Sequence, residues 1–121
     1  MKTNQIPIVT NAVMNTTINS TPVAIPDIYG YAIQAVYTGT PNGTLKLQAS
    51  ADPFKYVTPN TPQTPTNWVD IADSSFTITS AGTYMWNYNG SFYTFVRLVY
   101  TDASGGTSTA VLNANITIKG V

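Results

Sequence analysis

Cysteine, histidine and glutamate are absent from this 121-residue chain. Without cysteine there is no disulfide and no thiolate metal site, so packing alone must hold the fold together. Without histidine or glutamate, acid–base work near neutral pH falls to five aspartates, Asp27, Asp52, Asp70, Asp73 and Asp102. No two of them stand in a catalytic spacing, and no serine has a base beside it in a recognisable motif. Asp70 and Asp73 are close enough to share a cation, but the dense oxygen-ligand spacing of a calcium loop is missing, so both read as turn residues. No glycine-rich loop is shaped to cradle a phosphate. The composition points to a protein with no enzymatic activity, no cofactor and no metal.

Charge is scarce as well. Only 8% of the residues are charged, against a usual quarter, and five basic side chains cancel five acidic ones. Lys2, Lys46, Lys55, Arg97 and Lys119 are dispersed, which leaves no basic patch for nucleic acid or anionic lipid. No apolar run approaches the roughly 20 residues of a membrane-spanning helix, and Met1–Gln5 lacks the apolar stretch of a secretion signal. The expectation is a protein made in the cytoplasm with no nucleic-acid or membrane partner. A surface solvated by hydroxyls and amides repels its neighbours weakly, which suits a chain packed into an assembly.

What is present is alternation. With 43% apolar residues the chain can build a core, and no window shows the helical spacing i, i+3, i+4, i+7. Ala110, Leu112, Ala114, Ile116 and Ile118 alternate with Val111, Asn113, Asn115, Thr117 and Lys119. Leu45, Leu47 and Ala49 do the same with Lys46 and Gln48. Each run has an apolar and a mostly polar face, the mark of a half-buried antiparallel strand. Further strands are predicted near 31–37, 67–71, 75–79, 83–88 and 92–100. Turn signals separate them at Thr40–Gly43, Ser80–Gly82, Asn89–Gly90 and Ser104–Gly106. The pattern predicts an all-β protein: an antiparallel β-sandwich, Ig-like or jelly-roll-like, of about seven to nine strands with mainly hairpin connections.

Two segments break the pattern. Up to residue 25, apolar residues including Ile6, Ile8, Val9, Val13 and Met14 are scattered among polar residues, Pro7 and Pro22. The segment reads either as edge strands or as an extended arm leaving a domain that spans 26–121. Ten extended residues reach about 33 Å, enough to touch a neighbouring subunit through Ile6 and Ile8. The second segment runs from Ala51 to Thr66 without a strand signal. Its Pro59, Pro62 and Pro65 recur every third residue, so a polyproline II stretch would line them along one edge. It reads as a stiff surface loop or as a recognition loop that includes Tyr56.

Aromatics are the remaining signal, with two Trp, eight Tyr and four Phe. Trp68, Tyr84, Trp86 and Phe92 are assigned to the core. In the 92–100 strand, Phe92, Thr94, Val96, Leu98 and Tyr100 make one face, and Tyr93, Phe95, Arg97 and Val99 the other. Two bulky faces need two covers, the second being the arm, a partner or another subunit. Alternatively Tyr93, Phe95 and Tyr56 are open rings that stack on sugars.

The run Leu45-Lys46-Leu47-Gln48-Ala49-Ser50-Ala51-Asp52, followed by Asn67-Trp68-Val69-Asp70-Ile71, resembles a small β-sandwich family of bacteriophage virion proteins. Ala81-Gly82-Thr83-Tyr84-Met85-Trp86-Asn87 and Phe95-Val96-Arg97-Leu98-Val99-Tyr100 extend the resemblance over roughly residues 31–119. It implies a virion structural protein: a capsid decoration subunit, a head fibre or a head or tail adaptor. Such a protein is a homo-oligomer, often a trimer, that binds other virion proteins. The Leu-x-Leu-Gln-x-Ser and Trp pattern is also similar to discoidin-like modules that bind glycans, which implies a lectin-like alternative. The Pro-rich loop between Asp52 and Trp68 departs from the family pattern, and the resemblance carries over no functional residue.

Overall fold

Period-two alternation becomes paired strand along the chain. The computed structural model describes residues 3–25, 28–53, 56–58, 61–62, 64–89 and 93–120. Along them run β1 (Thr3–Val13), β2 (Ile18–Asn19), β3 (Val23–Ala24), β4 (Ile28–Thr38), β5 (Gly43–Ser50) and β6 (Tyr56–Thr58). Then follow β7 (Thr61–Pro62), β8 (Val69–Asp70), β9 (Phe76–Ile78), β10 (Gly82–Asn89), β11 (Phe95–Asp102) and β12 (Val111–Gly120). No helix occurs among the described residues. Each strand expected from the alternation is found, with bounds shifted by a few residues.

Two large antiparallel sheets result, with β6 and β7 pairing apart as a two-stranded one. One has the order β1-β12-β4-β10. In the other, β11 lies between β5 and the short strands β2 and β3, while β8 and β9 pair with the far side of β5. Since β2 and β3 share one lane and β8 and β9 another, each sheet has four lanes. Counted by lanes, the chain changes sheet at every step except from β5 to the β8–β9 lane, and the first lane lies beside the last. This is the connectivity of a double-sheet jelly roll. The expected hairpins are therefore mostly absent. A Gly- or Asn-rich turn reverses the chain equally well onto the adjacent lane or onto the facing sheet about 10 Å away.

The core lies between the sheets. Tyr31, Ile33, Ala35 and Tyr37 of β4 and Leu112, Ala114 and Ile116 of β12 face Leu45, Leu47 and Ala49 of β5 and Val96, Leu98 and Tyr100 of β11. Register keeps like with like, as in Ile116 opposite Ile33 and Leu98 opposite Leu47. Each such aliphatic side chain stabilises the fold by about 1.5–3 kcal/mol through burial. Phe76, Tyr84 and Trp86 close one open side, with ring centroids 4.1–5.5 Å apart. The Trp86 indole N–H donates to the Ser74 carbonyl at 2.9 Å.

The N-terminal segment is part of the sandwich and not an arm. Ile6 of β1 lies opposite Ile116, Val9 opposite Ala114 and Ala12 opposite Leu112. Ile8 and Val9 are buried, and Met14 is fully enclosed. Two register shifts, between Pro7 and Val9 and between Val9 and Ala12, each add a residue, which hides the alternation from a reader of the sequence. Asn11 takes the left-handed conformation at φ 49°, and its N–H donates to the Asn113 side chain at 2.8 Å. The chain then crosses to flank β11. Where Pro22 has no donor to offer, Ser20 is bonded twice to Leu98: its N–H donates to the Leu98 carbonyl and its hydroxyl accepts the Leu98 N–H.

Candidate functional site

The outward face of the six-stranded sheet carries the densest polar arrangement. Arg97 lies directly across from Gln48, and Gln48 across from Asp70. Arg97 Nε and Nη2 both donate to Gln48 Oε1, at 2.9 and 2.7 Å. Gln48 Nε2 donates in turn to Asp70 Oδ1 at 2.9 Å, and Asp70 Oδ2 accepts Lys46 Nζ at 3.1 Å. The Arg97 guanidinium also stacks over the Trp68 ring, 4.2 Å from its centroid. The result is a row of linked side chains in which Lys46 and Asp70 form an ion pair and Gln48 connects Asp70 to Arg97. Bonds from Gln48 first, then from Lys46, hold the Asp70 carboxyl below the usual carboxylate range.

A second element sits at the end of the same sheet. Asp52 Oδ2 accepts the backbone N–H groups of Thr66 and Asn67, and Oδ1 accepts the Asn67 side chain at 2.9 Å. These bonds, led by the one from the Asn67 side chain, lower the Asp52 pKa. Asp52 thereby pins the two ends of the 51–66 loop. Within it, Tyr56 opposes Pro62 and Thr58 opposes Thr61 in a small antiparallel hairpin. Thr61 and Pro62 are thus paired strand, and Pro65 is buried, while Pro59, the third proline of the expected polyproline row, lies outside the described residues. At the opposite end of the molecule, Asp102 organises the 103–106 turn. It accepts from the Ser104 hydroxyl at 2.6 Å and from the Ser104 and Gly106 N–H groups, which hold its pKa down.

The residues nominated for partner contact do not form one patch. Ile6 is half-buried against the core and Ile8 is inside it. Neither reaches outward, because both belong to the sheet of their own domain. Phe95 is only 3% exposed, so it is no open platform for a sugar. Tyr93 is 39% exposed, and Arg97 is half-buried over Trp68. Pro59 lies outside the described residues, as do the side chains of Tyr56 and Pro62. Of the three described rings among the four assigned to the core, Trp86 alone fills it. Tyr84 is 42% exposed, Trp68 lies on the outward face under Arg97, and Phe92 is outside the described residues. The Arg97–Trp68 stack was not anticipated, although the alternation that puts Arg97 on the outward face was a usable signal.

The outward face of the four-stranded sheet is different in kind. It is rich in amides and hydroxyls: Gln34 of β4, Asn87 of β10, and Asn113, Asn115 and Thr117 of β12. A shallow hollow of about 310 Å³ opens there, lined by Gly30, Ala32, Asn87, Asn89 and Thr117. Val36 and Met85 are exposed on the same face.

No family model and no curated protein matches the chain. Solved structures do. The chain is similar to the SPBc2 prophage-derived protein YomS, with a TM-score of 0.57 and 7% identity over 98% of this chain and 95% of that one. It is also similar to a protein of Bacillus endospore appendages, a family of disulfide-linked pili, with a TM-score of 0.50 and 11% identity over 99% and 88% of the two chains. Tripeptidyl peptidase 2 contains the same arrangement, with a TM-score of 0.54 and 9% identity, covering 98% of this chain but only 10% of that one. At such identities the likeness is one of fold. A prophage protein, a pilus and part of a peptidase sharing one sandwich shows how little the fold alone decides about function.

Proposed function

We propose that this chain is a non-enzymatic structural subunit of a bacteriophage particle, a capsid decoration protein or a head or tail adaptor. The observation that carries the reading is the likeness to a prophage-derived protein over nearly the whole of both chains. The jelly roll, a fold much used in viral shells, supports it. So does a surface with 8% charged residues, on which Lys46 pairs with Asp70 and Arg97 is bonded to Gln48. Its partners are other virion proteins and further copies of itself, and its place is the virion. Disulfide linkage, as in the appendage pili, is closed to a chain without cysteine. The glycan-binding alternative loses its central ring, since Phe95 is buried.

Mass spectrometry and electron microscopy of purified particles of the encoding phage test this reading. The chain is expected at a fixed, stoichiometric copy number, on density shaped as a jelly roll. Its absence from purified particles would overturn the proposal.

A further inference from the structure

The four sheet margins are not equally defended. A free strand edge presents unpaired N–H and C=O groups, and proteins blunt such edges with prolines, bulges, charges or very short strands. β1 has Pro7, two register shifts and the left-handed Asn11. The β2–β3 margin consists of two-residue strands separated by Pro22. The β8–β9 margin is made of two- and three-residue pieces and carries the Lys46–Asp70 ion pair. β10 has none of these devices. It pairs with β4 without a break from Gly82 opposite Tyr37 to Asn89 opposite Gly30. It contains no proline and no charge, and it ends the sheet among the described residues.

We propose that β10 is an assembly edge, where a second copy of this chain adds its own β10 antiparallel and joins two four-stranded sheets into one across a two-fold axis. Alternate residues of an edge strand direct both backbone groups outward, so about four residues of β10 are available to such a partner. Only another strand satisfies them in series. The strand is also complementary to itself. Tyr84, Trp86 and Tyr88 lie on its inward side, and Thr83, Met85 and Asn87 on its outward side. Antiparallel pairing about a dyad at Met85 or at Trp86 keeps each side in phase, so rings meet rings and no charge meets any other. A charged peptide would find no counter-charge there. Exposed apolar surface gathers at the same margin: Tyr84 at 42%, Met85 at 55% and, on the adjoining β4, Val36 at 38%. Such a two-fold contact differs from the trimer that the family resemblance implies, and it needs nothing from the phage setting. Its failure and that of the virion reading are therefore separate results.

Sedimentation velocity and light scattering on the full chain test the contact. At about 100 µM, where a micromolar contact is filled, the wild type is expected at twice its 13.0 kDa monomer mass. The double variant Thr83→Lys with Met85→Lys changes two exposed side chains and sets like charges near one another in either register. It is expected to weaken dimerisation at least about tenfold while keeping the monomer's thermal midpoint at low concentration. Amide exchange supplies a readout that needs no variant: alternate amides of residues 82–89 should gain protection as the wild type dimerises. A wild type that is monomeric or trimeric at this concentration overturns the proposal. So does a dimer untouched by the two lysines, or one in which the β10 amides exchange as fast as in the monomer.

Discussion

β1 and β10 flank the same sheet, and both are long strands rich in apolar and hydroxyl side chains. β1 is bent twice, holds Pro7, and then leads into the other sheet; its Ile6, Ile8 and Val9 end within or against the core, as does Met14 just beyond it, while Val13 at its end is exposed. β10 is straight and in register for eight residues, and it leaves Tyr84 and Met85 exposed. The comparison teaches that an edge can be closed by its own irregularity or left regular. Regularity keeps the strand able to accept another. Bulges and prolines, which obscure a strand in the sequence, are what mark β1 as an edge meant to stay single.

The largest test of this contrast removes β1. Deleting residues 3–13 takes away one of four lanes and uncovers Leu112 and Ile116, so cooperative thermal unfolding by circular dichroism should disappear. A truncated chain that still melts sharply near the wild-type temperature would restore the arm reading. Next in size is a matched pair. Ile8→Ala, at a buried position, should cost about 2–5 kcal/mol in urea unfolding. Met85→Ala, measured on the monomer, should stay within about 0.5 kcal/mol. Equal costs at the two positions would erase the distinction between the edges.

Asn11 sharpens it further. A valine there places a β-branched side chain at φ 49°, at a cost of about 1–2 kcal/mol, whereas Asn11→Gly should be much milder in the same assay. If the two substitutions cost the same, backbone conformation does not shape the β1 edge. The smallest effect is that of acid. Asp52, Asp70 and Asp102 have pKa values held below those of free carboxylates by the bonds they accept. Their contribution is therefore complete above the unfolded value near pH 4 and is lost as pH falls through the lower folded values. All three belong to the six-stranded sheet or its connecting loops. Amide exchange at about pH 3 should loosen the 51–70 region and the 102–106 turn before it touches the β4–β10 pairing. Simultaneous loosening of β10 would show that acid acts on the whole fold, and Asp52→Asn should blunt the local effect.

Much of this molecule is written in short-range order. Side-chain alternation in 43–50 and 111–120 states which face of each strand is apolar, because the pleat has a period of two wherever a strand is placed. The missing histidine, cysteine and glutamate likewise limit the available chemistry before any folding is considered. Other features belong to the tertiary structure alone. Which sheet receives each strand follows from the long-range burial of both inner faces together, and no turn signal encodes it. The two added residues of β1 break its period, so the burial of Ile8 and Val9 becomes visible only beside β12. Trp68 and Arg97 stand 29 positions apart and meet because β8 and β11 both flank β5. Alternation is a property of neighbours in the chain, whereas the crossovers, the bulged edge and the stacked pair are properties of neighbours in space.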